Sequence, residues 1–147
     1  MRLNIDIWTS MSRDFHSKAT LAMLYIQEAH AQNEWPITSC RLSKKGLAPG
    51  APPGTLGAPI CYNQHSSLAE RLTACRDFVN DYSVPTDSVL CLVDSVEGNP
   101  YQTAYAAWPI RWHVFRQGAG GAVVETVGQP DDGSFDMMQV YELLSSL

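Results

Sequence analysis

The stretch WPIRWHVFRQGAGGAVVETVG, residues 108–128, decides how the rest of the chain is read. Two alternating runs, 110–116 and 122–127, flank a glycine-rich turn, which predicts a β-hairpin. Ahead of it, SVLCLVD at 88–94, apolar from Val89 to Val93, reads as a fully buried strand. A short helical turn at 101–107 joins the two. Beyond the hairpin, QPDDGS at 129–134 makes a turn, and the spacing of Met137, Tyr141 and Leu144 marks a closing amphipathic helix.

Toward the N-terminus, residues 3–17 fit two periods. Leu3, Ile5 and Ile7 alternate like a strand, while Leu3, Ile7, Met11 and Phe15 recur every fourth position. The second pattern runs longer, so a helix is expected to about His16, followed by a buried strand at LAMLYI, 21–26. Residues 41–63, RLSKKGLAPGAPPGTLGAPICYN, are dense in Gly and Pro and predict a long surface loop. Ser67 and Glu70 form a capping box for a helix over about 67–80, with Leu68, Leu72, Cys75 and Phe78 or Val79 on one face.

The 147 residues suit one domain with one core. Ten Lys and Arg against fifteen Asp and Glu give a net charge of -5, which argues against a nucleic-acid partner. No apolar run approaches the ~20 residues of a membrane span, and no basic flank leads into an apolar N-terminal stretch, so a soluble, unsecreted chain is expected. The four cysteines, Cys40, Cys61, Cys75 and Cys91, form no CxxC pair and are read as free thiols, because a reducing compartment disfavours disulfides.

The element order α, β, long loop, α, β, short α, β, β, α predicts an α/β fold, a thioredoxin-like three-layer α/β/α sandwich lacking its first core strand. Such a fold begins with one more strand, central in the sheet and leading into the first helix. A strand supplied from outside would be expected between residues 21–26 and 88–94.

Three blocks in order resemble the iodothyronine deiodinase family across nearly the whole chain. LYIQEAHAQNEW, 24–35, is similar to the family strand that ends in Tyr-Ile-Glu-Glu-Ala-His with a Trp shortly after. NQHSSLAERL, 63–72, is similar to its Asn-His-x-x-Leu-x-x-Arg-Leu helix start. LVDSVEGNPYQTAYAAWPIRWHVFRQG, 92–118, resembles its Val-Asp, Tyr-Ala-Ala-Leu-Pro-Glu-Arg and hairpin sequence. The resemblance implies a thioredoxin fold in which a selenolate or thiolate removes iodine from an aromatic ring and is reset by a thiol reductant, with no other cofactor and no metal. It assigns catalytic roles to Glu28, His30 and His65, and substrate-facing roles to Tyr25, Arg111 and Pro109. Arg111 would meet a substrate carboxylate together with His30, and Pro109 would sit beside the nucleophile.

Two departures accompany it. Residues 41–63 look like an insertion beside the site, and the register of the first helix puts the family nucleophile a few residues upstream of Met1. Selenocysteine is encoded by a codon normally read as stop, so a start assigned to the next Met would omit both nucleophile and core strand. The other reading is a degenerate relative whose open sheet edge is covered by a protein partner.

Read as residues alone, Glu28 and His30 stand two apart near a strand end and would point to the same side. A His beside a carboxylate suits proton transfer near neutral pH. It equally suits a hydrogen-bonded pair that satisfies a buried strand end, and the residues alone favour the latter. His65 precedes a helix start and could aid an anion site or cap the turn. Arg111 could clamp a carboxylate or form an exposed ion pair. His16 and His113 are expected on the surface or in the core, and Trp8, Trp35, Trp108 and Trp112 in the core or at its rim. Ser12 fits a thioredoxin-type nucleophile position poorly, because too short a helix would follow and a hydroxyl does not supply thiolate chemistry. Cys40 is the thiol nearest the Glu28 and His30 motif and raises a peroxidase-like reading.

The preferred expectation is a deiodinase-like subunit without its nucleophile, binding or structural in role, whose incomplete sheet a partner covers. The rival is the C-terminal part of an active selenoprotein oxidoreductase, for which alone an iodinated aromatic substrate is expected. Either implies an intracellular or organellar setting, with association at the periphery of a membrane complex allowed.

Overall fold

The computed structural model describes residues 5–36, 41–42, 59–60, 62–107, 111–127 and 137–146. Its elements are α1 (Ile5–Asp14), β1 (Leu21–Tyr25), β2 (Arg41–Leu42), β3 (Pro59–Ile60), α2 (Leu68–Tyr82), β4 (Val89–Val93), α3 (Pro100–Tyr105), β5 (Trp112–Gly118), β6 (Gly121–Val127) and α4 (Met137–Ser145). The chain is thus mixed α/β. The helical period wins over the strand period at the N-terminus because it places Met11 and Phe15 on one buried side.

β1 and β4 pair directly in parallel, from Leu21↔Val89 through Met23↔Cys91 to Tyr25↔Val93. The gap expected between 21–26 and 88–94 is therefore absent. Two parallel strands need a long crossover, and α2 lies in the chain between them, so the pair is a βαβ unit with no strand to be inserted. β5 and β6 form a separate antiparallel sheet, from Trp112↔Val127 to Gly118↔Gly121. Among the described residues β1 has no strand neighbour other than β4. β2 and β3 make a two-residue antiparallel pair, Arg41↔Ile60 and Leu42↔Pro59, that closes the base of the Gly- and Pro-rich segment.

The hairpin turn is tighter than the sequence pattern suggests, with only Ala119 and Gly120 between strands. Gly121 takes φ 122°, a backbone conformation that a side chain disfavours. A Cβ on Gly118 would lie 3.2 Å from the Gly121 carbonyl oxygen, so both positions hold glycine for backbone reasons.

The core joins Met11 and Phe15 of the α1 region, Leu21 and Met23 of β1, Cys75 and Phe78 of α2, Val84, Val89 of β4, and Val140 and Leu144 of α4. All three long helices thus feed one cluster beneath one face of the β1–β4 pair. The opposite face carries Ala22, Leu90 and Leu92 in the open, with Leu90 51 % and Leu92 43 % exposed. α1 reaches the hairpin through Trp8 and Trp112, edge to face with centroids 5.2 Å apart. α3 packs on the hairpin's other face through Tyr101 and Tyr105 around His113.

The buried stripe of α2 is Arg71, Ala74, Cys75, Phe78 and Asp81, whereas Leu68 is half exposed. The stripe expected from Leu68 and Leu72 is rotated, because the helix turns an arginine inward. Ser67 caps the helix by accepting from the Glu70 amide at 3.3 Å. The Glu70 carboxylate reaches back to the Ser66 amide and hydroxyl, one residue before the position of a regular capping box. Ser83 ends the helix at φ 52°, and Val84 behind it is buried.

Among the described residues no helix is long and apolar enough to cross a membrane.

Candidate functional site

Parallel strands end on the same side, and ligands of α/β folds gather outside those carboxyl ends. Here three segments meet beyond the ends of β1 and β4. The turn after β1 is stitched to the segment before α2: Gln32 donates its amide to the Tyr62 carbonyl at 2.8 Å, and the Gln64 amide donates to Asn33 Oδ1 at 2.7 Å. The Gln64 side chain accepts from the Glu28 amide at 3.2 Å and donates to the Glu28 carbonyl at 3.1 Å. The third segment follows β4, whose ladder extends by one bond from the Asp94 amide to the Tyr25 carbonyl at 2.9 Å.

Within this frame the Tyr25 hydroxyl donates to the Glu28 carboxylate, both side chains being half buried. His65 lies 6 % exposed between the rings of Tyr25 and Tyr62, with centroids 6.2 and 6.0 Å away. Neither ring nitrogen of His65 has a hydrogen-bond partner among the described residues. Burial pushes its pKa below the usual histidine range; the nearby Glu28 charge pulls it up and Arg71 pushes it down.

Arg71 is 1 % exposed and donates through Nη1 to the carbonyls of Asp94, at 3.2 Å, and Ser95, at 2.9 Å. Burial lowers its pKa, while Asp94, Tyr25 and Glu28 oppose that shift. Asp94, also buried, spends its carboxylate on the start of α3, accepting from the amides of Tyr101 at 3.2 Å and Gln102 at 3.1 Å. Asn99 occupies the formal cap position in a left-handed conformation and gives no side-chain cap.

Tyr25, Glu28 and His65 are thus brought together. His30 is not with them. β1 ends at Tyr25, so Glu28 and His30 leave the strand and lose its two-residue alternation. His30 is exposed and bonds through Nδ1 to the Trp35 carbonyl at 3.3 Å, beneath the edge of a Trp35 ring that is 62 % exposed. Arg111 is half buried and its charge depresses the pKa of His113, second to burial. Pro109 and Trp108 lie outside the described residues, as do Cys40 and Cys61.

The sequence reading passed over Gln64, Arg71 and Asp94 as site residues. Arg71 had a signal, since positions 71, 75 and 78 recur at helical spacing and a charge sits on that apolar face. Gln64 had none, because its role depends on the fold of a loop.

Chemically the cluster offers a neutral imidazole, a carboxylate held by a phenol, and a buried guanidinium. That set can accept or donate a proton and face a polar group. It contains no described thiol. Cys75 and Cys91 are free but lie in or against the core, and burial pushes the Cys75 thiol up to about 11 and raises Cys91 as well. Among the described residues no three His, Cys, Asp or Glu side chains are grouped to hold a metal ion.

A cleft of about 430 Å³ opens at the opposite strand ends, lined by residues including Ser12, His16, Asp87 and Ser88. Its serine hydroxyls are committed: Ser88 donates to Ser12 at 3.1 Å, and Ser12 donates to the Thr9 carbonyl at 3.0 Å. His16 turns Nδ1 to the Arg13 carbonyl at 2.7 Å. Among the described residues this cleft brings no nucleophile and base into contact.

Compared with known protein families and curated proteins, the chain matches no family model and no curated sequence.

Proposed function

We propose that this chain is a deiodinase-like thioredoxin-fold module that serves as a non-catalytic binding or structural subunit. The observation that carries the reading is the composition of the site beyond β1 and β4. Tyr25, Glu28, His65 and Arg71 converge there, while the described thiols stay in the core with raised pKa values. Acid–base groups without a nucleophile bind and orient; they do not displace a halide.

The thioredoxin-like assignment is supported by the order of a parallel strand pair, an α3 connection, an antiparallel hairpin and a terminal helix. The partner is proposed to add a strand along the edge of β1 that faces away from β4, since an edge of that kind invites pairing. Amide hydrogen exchange tests this. Amides of 21–25 that point away from β4 exchange quickly in the isolated chain and slowly in the native assembly; equal rates in both states remove the strand-donating partner.

A second reading is favoured by one observation: the buried His65 ring stands against Tyr25, whose hydroxyl holds the Glu28 carboxylate, an arrangement useful for proton transfer. In that reading the same site serves a selenolate or thiolate carried on a segment outside residues 1–147. The module would then belong to a thiol-dependent reductive deiodinase acting on an iodinated aromatic compound. Selenium analysis and intact mass of the protein from its native source separate the two, since the second reading requires selenium or an added thiol segment above 16.2 kDa.

A further inference from the structure

The cleft at the amino ends of β1 and β4 draws its walls from two places. The end of α1 and the turn after it supply Arg13, His16 and Thr20, and the turn before β4 supplies Asp87 and Ser88. Ser12, 2 % exposed, joins the two sides through its 3.1 Å bond with Ser88. The volume of about 430 Å³ falls within the range of small-molecule sites, roughly 300–1,000 Å³.

The polar groups of the cleft divide into acceptors and donors. His16 Nδ1 stands 2.7 Å from the Arg13 carbonyl, which only accepts, so Nδ1 carries the hydrogen and neutral His16 presents Nε2 as an acceptor. Ser88 spends its single hydrogen on Ser12 or on the Pro85 carbonyl and keeps lone pairs on Oγ. The Asp87 carboxylate is exposed and accepts from no described residue. On the donor side are the Thr20 hydroxyl and the Arg13 guanidinium, which meets Asp14 through Nε at 3.2 Å and keeps its Nη groups for a ligand.

Arg13 and Asp87 together narrow the chemistry of that ligand. A plain anion meets the Asp87 carboxylate and a plain cation meets the Arg13 guanidinium, so a molecule of single charge loses at one what it gains at the other. No Trp, Tyr or Phe lines the cleft among the described residues, so no ring is offered for a nucleobase or a sugar to stack on. We propose that the cleft binds a free α-amino acid, its carboxylate on Arg13 and its ammonium group on Asp87, His16 Nε2 and Ser88 Oγ. The ammonium group brings one donor for each of those acceptors, and a carboxylate accepts from a guanidinium through two parallel bonds. This site lies at the other end of the strands from Tyr25, Glu28 and His65, and it does not rest on the function proposed for them.

The experiment is an amide NMR titration of the full chain with L-alanine and L-serine, beside acetate, which lacks the ammonium group, and methylamine, which lacks the carboxylate. Both amino acids should give saturable shifts centred on residues 12–20 and 87–88, with Kd of about 1 mM or tighter. Acetate and methylamine should bind at least about tenfold more weakly, since each forfeits one charged contact. Arg13 and Asp87 are exposed, so Arg13→Gln and Asp87→Asn should fold as wild type does, and each should weaken amino-acid binding by about tenfold or more. The proposal is overturned if neither amino acid gives saturable shifts at these residues, if acetate or methylamine binds as tightly as alanine, or if either variant binds as wild type does.

Discussion

Arg71 donates to the main-chain carbonyl of Asp94 at 3.2 Å and leaves the Asp94 carboxylate to the amides at the start of α3. One buried arginine and one buried aspartate therefore tie α2, β4 and α3 together without forming a side-chain ion pair with each other. Asp94→Ala strands two amide donors and should destabilise the fold by about 1–3 kcal/mol. Asp94→Asn keeps one acceptor and should cost less. Urea denaturation of both variants checks the order.

The core and the open face of the β1–β4 pair should respond in opposite ways. Met11 is fully buried, so Met11→Ala should cost about 2–5 kcal/mol, the range for deleting a large core side chain. Leu90→Ser on the exposed face should shift stability by only about 0.5 kcal/mol in either direction. A loss comparable to that of Met11→Ala would mean that the face is covered. Thermal denaturation reads both.

Stability should fall on the acid side of neutrality because of His65. Its pKa is lowered in the folded state, so between that value and 6.5 the unfolded chain binds more protons than the native one. The stabilising contribution is complete above 6.5 and is lost as pH falls toward the folded value. His65→Phe should flatten this part of the pH profile. Denaturation curves at a series of pH values, compared with wild type, measure the difference.

Cys75 and Cys91 should resist alkylation in the native protein. With the Cys75 thiol at about 11, almost none is thiolate near pH 7.5, and Cys91 is shifted in the same direction. Iodoacetamide followed by peptide mass mapping should find both unmodified until denaturant is added. Prompt native labelling of Cys75 would show that the α2 side of the core opens.

Much of this architecture is legible in the sequence because local rules and the fold agree. The Ser67 cap, the apolar run of β4 and the alternation of the hairpin each point to the observed element, but the full burial expected of β4 does not hold, because Leu90 and Leu92 face away from the helices and are exposed. Pairing partners are less visible. β1 and β4 are both continuous apolar runs, and nothing in either one names its neighbour, so their direct contact was misplaced. The site divides in the same way. Tyr25, Glu28 and His65 do converge, but the two-residue spacing of Glu28 and His30 implies a common side only while the strand continues, and β1 stops at Tyr25. Gln64 and Asp94 act through main-chain groups that only the folded loops bring near.

Iodide release tests whether these residues carry a working nucleophile. The 147-residue chain is incubated with an iodinated phenol and excess dithiothreitol, beside a reductant blank and the His65→Gln variant. Release no faster than the blank is expected for both proteins. Turnover by the wild-type chain that His65→Gln abolishes would contradict it and place a working nucleophile within these residues.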